Sequence, residues 1–143
     1  MPAVTDPAAV VKRYLEIVAD LGSSADDLLA VLHPKLRLTE LPNAISPRGA
    51  VRDRDATVAG FLAGKALLSA QSIAIGELLV SGDRVVVRAT WRGTIANGGE
   101  RLPAGSRLVA HVSAWLTVTD GLIREHDTYD CYESLPSERG ATP

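Results

Sequence analysis

An α+β fold is predicted by three features of this sequence. Helical periodicity is concentrated between residues 7 and 70, alternating strand patterns follow to residue 130, and short Gly-containing turns join the strands. Helices followed by a run of antiparallel strands are typical of a sheet with helices packed on one face. A length of 143 residues fits one domain with a sizeable core. We therefore expect one α+β domain over residues 1–134 and a polar tail over residues 135–143.

Three helices are predicted in the first half of the chain. The first begins after Asp6 and Pro7, which are typical of an N-cap and a first helical position, and it ends at Gly22. The second is predicted over residues 23–34, between two serine caps and a proline. The third covers residues 56–70, although its two glycines have low helix propensity.

Strand alternation predicts the rest of the sheet. The predicted strands are residues 35–41, 72–80, 85–95, 107–118 and 122–130. Residues 42–55 contain two prolines, one glycine, one asparagine and two aspartates, all common in turns, so they are predicted to form a loop.

Charge and composition exclude several classes of function. The net charge is −2 and no basic block is present, so nucleic acid is not an expected partner. Cys131 is the single cysteine, which excludes an internal disulfide, and we expect a buried, inert thiol there. The three histidines are scattered along the chain, so no metal site is predicted. The sequence also has no phosphate-binding loop, so no nucleotide cofactor is predicted. Without a signal peptide or an apolar run of about 18 residues, we expect a cytoplasmic protein without cofactors.

The order of four segments resembles a known superfamily. "RYLEIVADLG", "LTELPN", "GDRVVVRATWRGT" and "AWLTVTDGLIREHDTYD" resemble the nuclear transport factor 2-like superfamily, especially its SnoaL-like polyketide cyclase and ketosteroid isomerase-like members. The resemblance implies a cone-shaped, curved antiparallel sheet, with the three N-terminal helices on its concave face and one apolar pocket inside. It also implies a small apolar ligand and a homodimer. Because this scaffold hosts many chemistries, the reaction does not follow from the fold.

Glu40 and Tyr14 are the first candidate catalytic residues. Glu40 shares a strand face with Leu36 and Leu38, so burial is expected to raise its pKa, as suits a general acid or base. Tyr14 lies on the apolar stripe of the first helix, and the resemblance implies that it donates to an oxyanion. The alternatives are a solvent-exposed glutamate at a strand end and a core tyrosine bonded to a backbone carbonyl.

His126 and Asp130 belong to the last predicted strand. Alternation separates His126, Thr128 and Asp130 from Glu125 and Asp127, but neither set is apolar enough to identify the inner face. The resemblance implies that His126, Thr128 and Asp130 face the pocket, with Asp130 as a general acid or base. The alternatives are an aspartate that caps the following turn and a hydrogen-bonded histidine on a half-buried face.

Further residues are expected to contact the ligand. They are Trp91, Val87, Thr128, Ala114, Phe61 and Asn43. Trp91 and Val87 share one strand face, although a core tryptophan is an alternative, and Asn43 could equally stabilise a turn. Ala114 stands where the resemblance to ketosteroid isomerases implies a second acid, so a strict steroid isomerase is disfavoured.

The leading hypothesis is a cofactor-independent acid–base enzyme, an isomerase, cyclase or lyase of secondary metabolism that acts on an apolar small molecule. Glu40 and Asp130 would move protons, while Tyr14 and His126 would stabilise an oxyanion. The alternatives are an epoxide hydrolase that uses the same two acids and a non-catalytic binding module.

Overall fold

Three helices and six strands form within residues 6–135, the part of the chain that this computed structural model describes. In chain order they are α1 (Pro7–Ala19), α2 (Ala25–Leu29), β1 (Leu32–Glu40), β2 (Ala50–Arg52), α3 (Arg54–Ala66), β3 (Leu68–Ser81), β4 (Arg84–Ile95), β5 (Arg107–Thr119) and β6 (Leu122–Tyr132). The predicted tail lies outside the described residues except for Leu135, which is buried in a small apolar cluster beside β4 and β5.

All six strands belong to one curved, unclosed sheet with the order β2-β1-β6-β5-β4-β3. The predicted curved sheet of an α+β fold is therefore confirmed. The sheet is not wholly antiparallel, because β1 and β6 pair in parallel. The β5–β6 hairpin turns at Asp120 and Gly121, which both have positive φ angles, as in the turns that match strand twist. Because β6 pairs with β1 on one side and with β5 on the other, it has a central place in the sheet.

The helix boundaries agree with the sequence prediction to different degrees. The N-cap of α1 is confirmed, since the Asp6 side chain accepts a hydrogen bond from the Ala8 amide, with Pro7 at the first position. The second helix is shorter than predicted and ends at Leu29, because β1 already begins at Leu32 and pairs there with β6. Leu28 anchors this short helix in the core, which contributes about 2 kcal/mol.

The predicted loop over residues 42–55 contains a strand that the sequence analysis missed. Ala50–Arg52 pairs antiparallel with the end of β1 and forms an edge of the sheet. Gly49 precedes this strand with a positive φ angle, and an added Cβ would clash with the Glu40 carbonyl oxygen. A glycine is therefore required where the chain returns to β1.

The helices cover the concave face of the sheet and form the main core with it. Val11, Tyr14 and Ile17 of α1 are buried in the same cluster as Val87 of β4 and Leu116 of β5. No helix among residues 6–135 is long and apolar enough to cross a membrane.

The opposite sheet face exposes several large apolar side chains, among them Trp115 of β5 and Tyr129 of β6. The expectation of a buried thiol is wrong, because Cys131 follows Tyr129 on this face and is exposed. The predicted homodimer stays a prediction.

Candidate active site

A two-lobed pocket lies between α1, α3 and the concave face of the sheet. The tryptophan lobe, which contains Trp91, has a volume of about 210 Å³ and is mostly apolar. The arginine lobe, which contains Arg52, has a volume of about 370 Å³. The residues that line both lobes are Tyr14, Val18, His126, Thr128, Asp130 and Tyr132. The two cavities are therefore neighbouring parts of one site, with these residues at their junction.

Strand β6 supplies most polar groups of this junction. His126, Thr128, Asp130 and Tyr132 alternate along its inner face and line both lobes, whereas Tyr129 points away and is 47% exposed. The pairing of β6 with β5 is regular from Glu125 to Tyr132, so alternation continues to the end of the strand. The inner face that the resemblance implied is confirmed for His126, Thr128 and Asp130.

Tyr14 and His126 form a hydrogen-bonded pair at the junction. The Tyr14 hydroxyl lies 2.8 Å from His126 Nδ1, and the two rings meet edge to face with centroids 5.5 Å apart. A neutral imidazole has one N–H donor and one acceptor nitrogen. If the Tyr14 hydroxyl donates to Nδ1, the ring proton is on Nε2. In the other tautomer Nδ1–H donates to the Tyr14 oxygen, and the phenolic O–H is then available to donate to another group. Either arrangement leaves one further donor on the pair.

Both members of this pair are neutral at physiological pH. Burial raises the pKa of Tyr14 above its ordinary value of 10.0. Burial also lowers the pKa of His126 to about 4, although the nearby Asp127 carboxylate acts in the opposite direction. The pair is therefore a neutral hydrogen-bonding group, in which an imidazole rather than an imidazolium lines the pocket.

Glu40 lines the arginine lobe at the end of β1 and is held there by three residues. Arg52 Nη1 donates to Glu40 Oε1 at 3.0 Å, and Asn43 Nδ2 donates to Oε2 at 2.8 Å. Burial raises the pKa of Glu40, but the hydrogen bonds from Asn43, Arg52 and Ser46 outweigh it, so the pKa falls below 4.5. The expectation of a raised pKa is wrong, because the partners of this carboxylate come from β2 and the preceding loop.

The pKa of Asp130 is shifted in the opposite direction from that of Glu40. Burial is the largest cause that raises its pKa above 3.8, and the charge of Glu40 acts in the same direction. Thr128 opposes the shift, because its hydroxyl donates to Asp130 Oδ1 at 2.7 Å. Asp130 is therefore the stronger base of the two carboxylates in this pocket.

Trp91 forms a wall of the tryptophan lobe in a fixed orientation. Its Nε1–H donates to Gln71 Oε1 at 2.9 Å, and Gln71 Nε2 donates to the Val18 carbonyl at the end of α1. Tyr132 packs edge-on against the indole, with ring centroids 6.3 Å apart. An indole held in this way offers a flat apolar surface to an aromatic or polycyclic ligand.

The other predicted ligand contacts are found in different places. Val87 and Ala114 line the tryptophan lobe and Phe61 lines the arginine lobe. Asn43 lines neither lobe; its side chain accepts from the Ile45 and Ser46 amides and donates to Glu40, so it supports the site from behind.

Sequence reasoning missed three polar residues of the pocket: Arg52, Thr57 and Tyr132. Tyr132 continues the alternation of β6 by two residues, which was a usable signal. Arg52 and Thr57 gave no comparable signal, because their place depends on how β2 and α3 pack against β1. Among residues 6–135, no group of three or more His, Cys, Asp and Glu side chains is arranged to hold a metal ion.

The lowered pKa of His126 predicts a loss of stability in mild acid. The unfolded chain binds a proton near pH 6.5, but folded His126 binds it only near pH 4, so unfolding takes up a proton between these values. The free energy of unfolding should fall by about 2 kcal/mol between pH 7 and pH 4.5 from this group alone. Urea unfolding at both pH values checks this.

His126→Gln is expected to lose that part of the pH dependence. His111→Gln is the matched control, because His111 is exposed on the opposite face and pairs there with Glu133. An equal pH dependence in wild type and His126→Gln would contradict the prediction.

Known proteins provide an independent comparison. The sequence profile of the SnoaL-like domain family matches residues 11–126. No curated protein sequence matches the chain significantly.

Solved structures with this fold include IdmH from Streptomyces antibioticus, a candidate polyketide cyclase, with 22% identity, a TM-score of 0.72 and coverage of 87% of this chain and 91% of IdmH. A candidate SnoaL-like polyketide cyclase from Jannaschia sp. CCS1 has 19% identity, a TM-score of 0.71 and coverage of 91% and 88%. AclR from Streptomyces galilaeus, a candidate hydroxylase, has 15% identity, a TM-score of 0.70 and coverage of 90% of both chains.

These structures show the fold, and the profile match covers most of the chain. The cone-shaped α+β architecture that the resemblance implied is confirmed by these structures. This chain belongs to the SnoaL-like domain family.

Proposed function

We propose that this protein is a cofactor-independent enzyme that moves a proton to and from carbon in an apolar, ring-containing small molecule, as an isomerase, cyclase or lyase does. The observation that carries the proposal is the position of Asp130 at the junction of the two lobes, which the Tyr14–His126 pair also lines. Burial raises the pKa of this carboxyl. A base of raised pKa and a fixed donor are the two groups that proton abstraction next to a carbonyl requires.

The proposed step begins with a ketone whose oxygen accepts a hydrogen bond from the Tyr14–His126 pair. The Asp130 carboxylate takes the α-proton, and the electron pair of the C–H bond moves into an enolate. The enolate oxygen carries the new charge while the donor stabilises it. Return of the proton from Asp130 to another carbon completes an isomerisation. Return to the same carbon gives deuterium exchange when the proton on Asp130 has first been replaced by a deuteron from D₂O.

Glu40 was expected to move protons as well, and the lowered pKa of this carboxylate now favours a supporting part. Its negative charge raises the pKa of Asp130 and so strengthens that base. Arg52 and Asn43 hold the carboxylate in place. Glu40 as a proton-transferring residue stays a prediction.

Deuterium exchange of 2-tetralone in D₂O tests the proposed function without knowledge of the natural substrate. This flat bicyclic ketone has exchangeable α-protons and fits an apolar pocket. The protein should accelerate exchange by about 10⁴-fold or more over buffer, measured by proton NMR, as expected for a positioned general base that acts together with an oxyanion donor. Exchange at the buffer rate, with the probe shown to bind, would reject proton abstraction as the function.

Glu40→Gln tests the electrostatic support of Asp130. Wild-type exchange should rise with pH through the raised pKa of Asp130, because the base must be ionised. Removing the charge of Glu40 should move this rise to lower pH and reduce the plateau rate by about three- to tenfold, since a weaker base transfers protons more slowly. The pH–rate profile is the measurement.

Glu77→Gln is the matched control, since Glu77 is exposed on β3 and its register partner is Arg88, outside the two lobes. A profile of Glu40→Gln that coincides with wild type would show that Glu40 does not act on Asp130.

Epoxide hydrolysis is a second candidate, favoured by one observation. Two carboxylates line the arginine lobe with pKa values shifted in opposite directions, down for Glu40 and up for Asp130. Such a pair suits activation of water by one acid and protonation of an epoxide oxygen by the other. Styrene oxide in ¹⁸O-labelled water separates the candidates, because hydrolysis places label in the diol.

A further inference from the structure

Thr57 has a buried hydroxyl that the fold does not satisfy. The residue is 7% exposed and lines the arginine lobe. Its Oγ1 atom has no hydrogen-bond partner among the described residues. An unpaired buried hydroxyl destabilises the folded state, so a valine of the same shape would be preferred if stability alone mattered.

Tyr132 has a second unused group beside the same lobe. Its ring lines both lobes and is held edge-on against Trp91. Its hydroxyl makes no hydrogen bond within residues 6–135. Burial, followed by the charges of Asp130 and Glu40, raises the pKa of Tyr132, so the phenol stays protonated and can donate.

Arg52 supplies further donors. A guanidinium group has five N–H donors, and within the described chain Arg52 uses Nη1 alone, towards Glu40. The arginine side chain is 32% exposed, compared with 16% for Glu40, so it is accessible from the lobe. Three separate elements (β2, α3 and β6) thus direct unused hydrogen-bonding residues towards one cavity.

We propose that the arginine lobe binds an uncharged, oxygen-bearing arm of the substrate, a ketone or hydroxyl group that Tyr132, Thr57 and Arg52 hold, while the ring system of the same molecule lies against Trp91. The Thr57 hydroxyl reaches the arm by rotation about χ1, for which a helical threonine has two accessible orientations. The proposal rests on the proposed function for one point, that the reacting atoms lie at the junction between ring and arm.

Charge in the lobe determines that the arm is neutral. Glu40 is ionised and already neutralises Arg52 at 3.0 Å, and Asp130 lines the same lobe. A carboxylate arm would therefore meet two acids and one cation that is already paired, whereas a carbonyl or hydroxyl oxygen accepts from the same donors without that repulsion.

Two probes that differ by one oxygen test the subsite: 1-(2-naphthyl)pentane-1,4-dione and 1-(2-naphthyl)pentan-1-one. Isothermal titration calorimetry should give wild type an affinity about tenfold higher for the dione, the gain expected from hydrogen bonds to the second carbonyl. Tyr132→Phe and Thr57→Val should each reduce this ratio of dissociation constants to about threefold or less. Tyr129→Phe, on the exposed face of the same strand, should keep the wild-type ratio.

A wild-type protein with no preference for the dione, including one that binds neither probe, would overturn the subsite. A preference that both pocket variants keep in full would overturn it as well. The two experiments also separate this proposal from the proposed function. If wild type prefers the dione but does not accelerate 2-tetralone exchange, only the proposed function is rejected. If wild type accelerates the exchange but does not prefer the dione, only the subsite is rejected.

The stability of Thr57→Val gives a second test that needs no ligand. Since the variant removes an unpaired buried hydroxyl and keeps its volume, its melting temperature should rise by about 2–4 °C. The melting temperature of Thr57→Ser, which retains the hydroxyl and loses a methyl group, should not rise. A lower melting temperature for Thr57→Val would show that the fold itself uses this hydroxyl and would overturn its place in the subsite.

Discussion

Asp130→Asn is expected to slow the exchange of 2-tetralone by about 10²- to 10⁴-fold, the usual contribution of a positioned general base. Asparagine has nearly the same shape and can still accept from the Thr128 hydroxyl, which donates to Oδ1 in wild type. Only the capacity to take a proton from carbon is lost. The measurement is the rate of deuterium incorporation by NMR at a pH where wild-type exchange has reached its plateau.

Stability separates this loss from misfolding. The raised pKa of Asp130 means that the folded chain holds this proton more tightly than the unfolded chain does, so ionisation of the group reduces stability as pH rises through its raised pKa. Asparagine does not ionise, and the melting temperature of the variant at pH 7 should equal or exceed that of wild type. Tyr129→Phe, one residue away on the outer face, should keep the wild-type exchange rate.

An Asp130→Asn protein that exchanges 2-tetralone at the wild-type rate would remove Asp130 from the mechanism. The alternative from the sequence, an aspartate that caps the following turn, would then be preferred. That alternative predicts no loss of rate, because it gives Asp130 no part in proton transfer.

Residues that reduce stability are concentrated in this pocket. Asp130 and His126 lose favourable hydration when their charged forms are buried, and the hydroxyl of Thr57 is unpaired. Groups that oppose folding are found together where a function requires them, since elsewhere sequence and structure tend to agree. Their coincidence with the junction and the arginine lobe supports a ligand site rather than a closed core.

Features that depend on local periodicity, such as the set of side chains that share one face of a strand, could be predicted from the sequence. The alternation of β6 identified His126, Thr128 and Asp130 as one set, because the β5–β6 pairing is regular from Glu125 to Tyr132. The predicted strand ended at residue 130, and Tyr132 was missed for that reason. The side of the sheet that faces the pocket required the family resemblance, since neither set of side chains on this strand is apolar.

What the sequence could not predict depends on contacts distant along the chain. The three-residue strand β2 has no clear pattern of its own and exists by pairing with β1. That pairing brings Arg52 to Glu40, twelve positions earlier, and reverses the expected direction of the glutamate's pKa shift. The direction of a carboxylate's pKa shift cannot be predicted from its place on an apolar strand face alone, because its hydrogen-bonding and charged partners decide which protonation state is favoured.

Tyr14→Phe is expected to reduce the exchange rate by about 10²-fold, near the lower limit for the loss of one oxyanion donor. The hydroxyl lies 2.8 Å from His126 Nδ1, so its removal leaves the imidazole without this partner as well. If the two residues act as one hydrogen-bonding unit, His126→Gln should cause a similar loss. The double variant should then be little slower than the slower single variant.

Independent action predicts a different result from the same cycle. Two separate donors would multiply their effects, so that the double variant would lose roughly the product of the single losses. A core tyrosine without a part in catalysis would leave the exchange rate of Tyr14→Phe close to wild type and change only the melting temperature, because it is buried against the main core. The ratio of the four rates therefore decides whether the 2.8 Å contact belongs to the chemistry or to the packing.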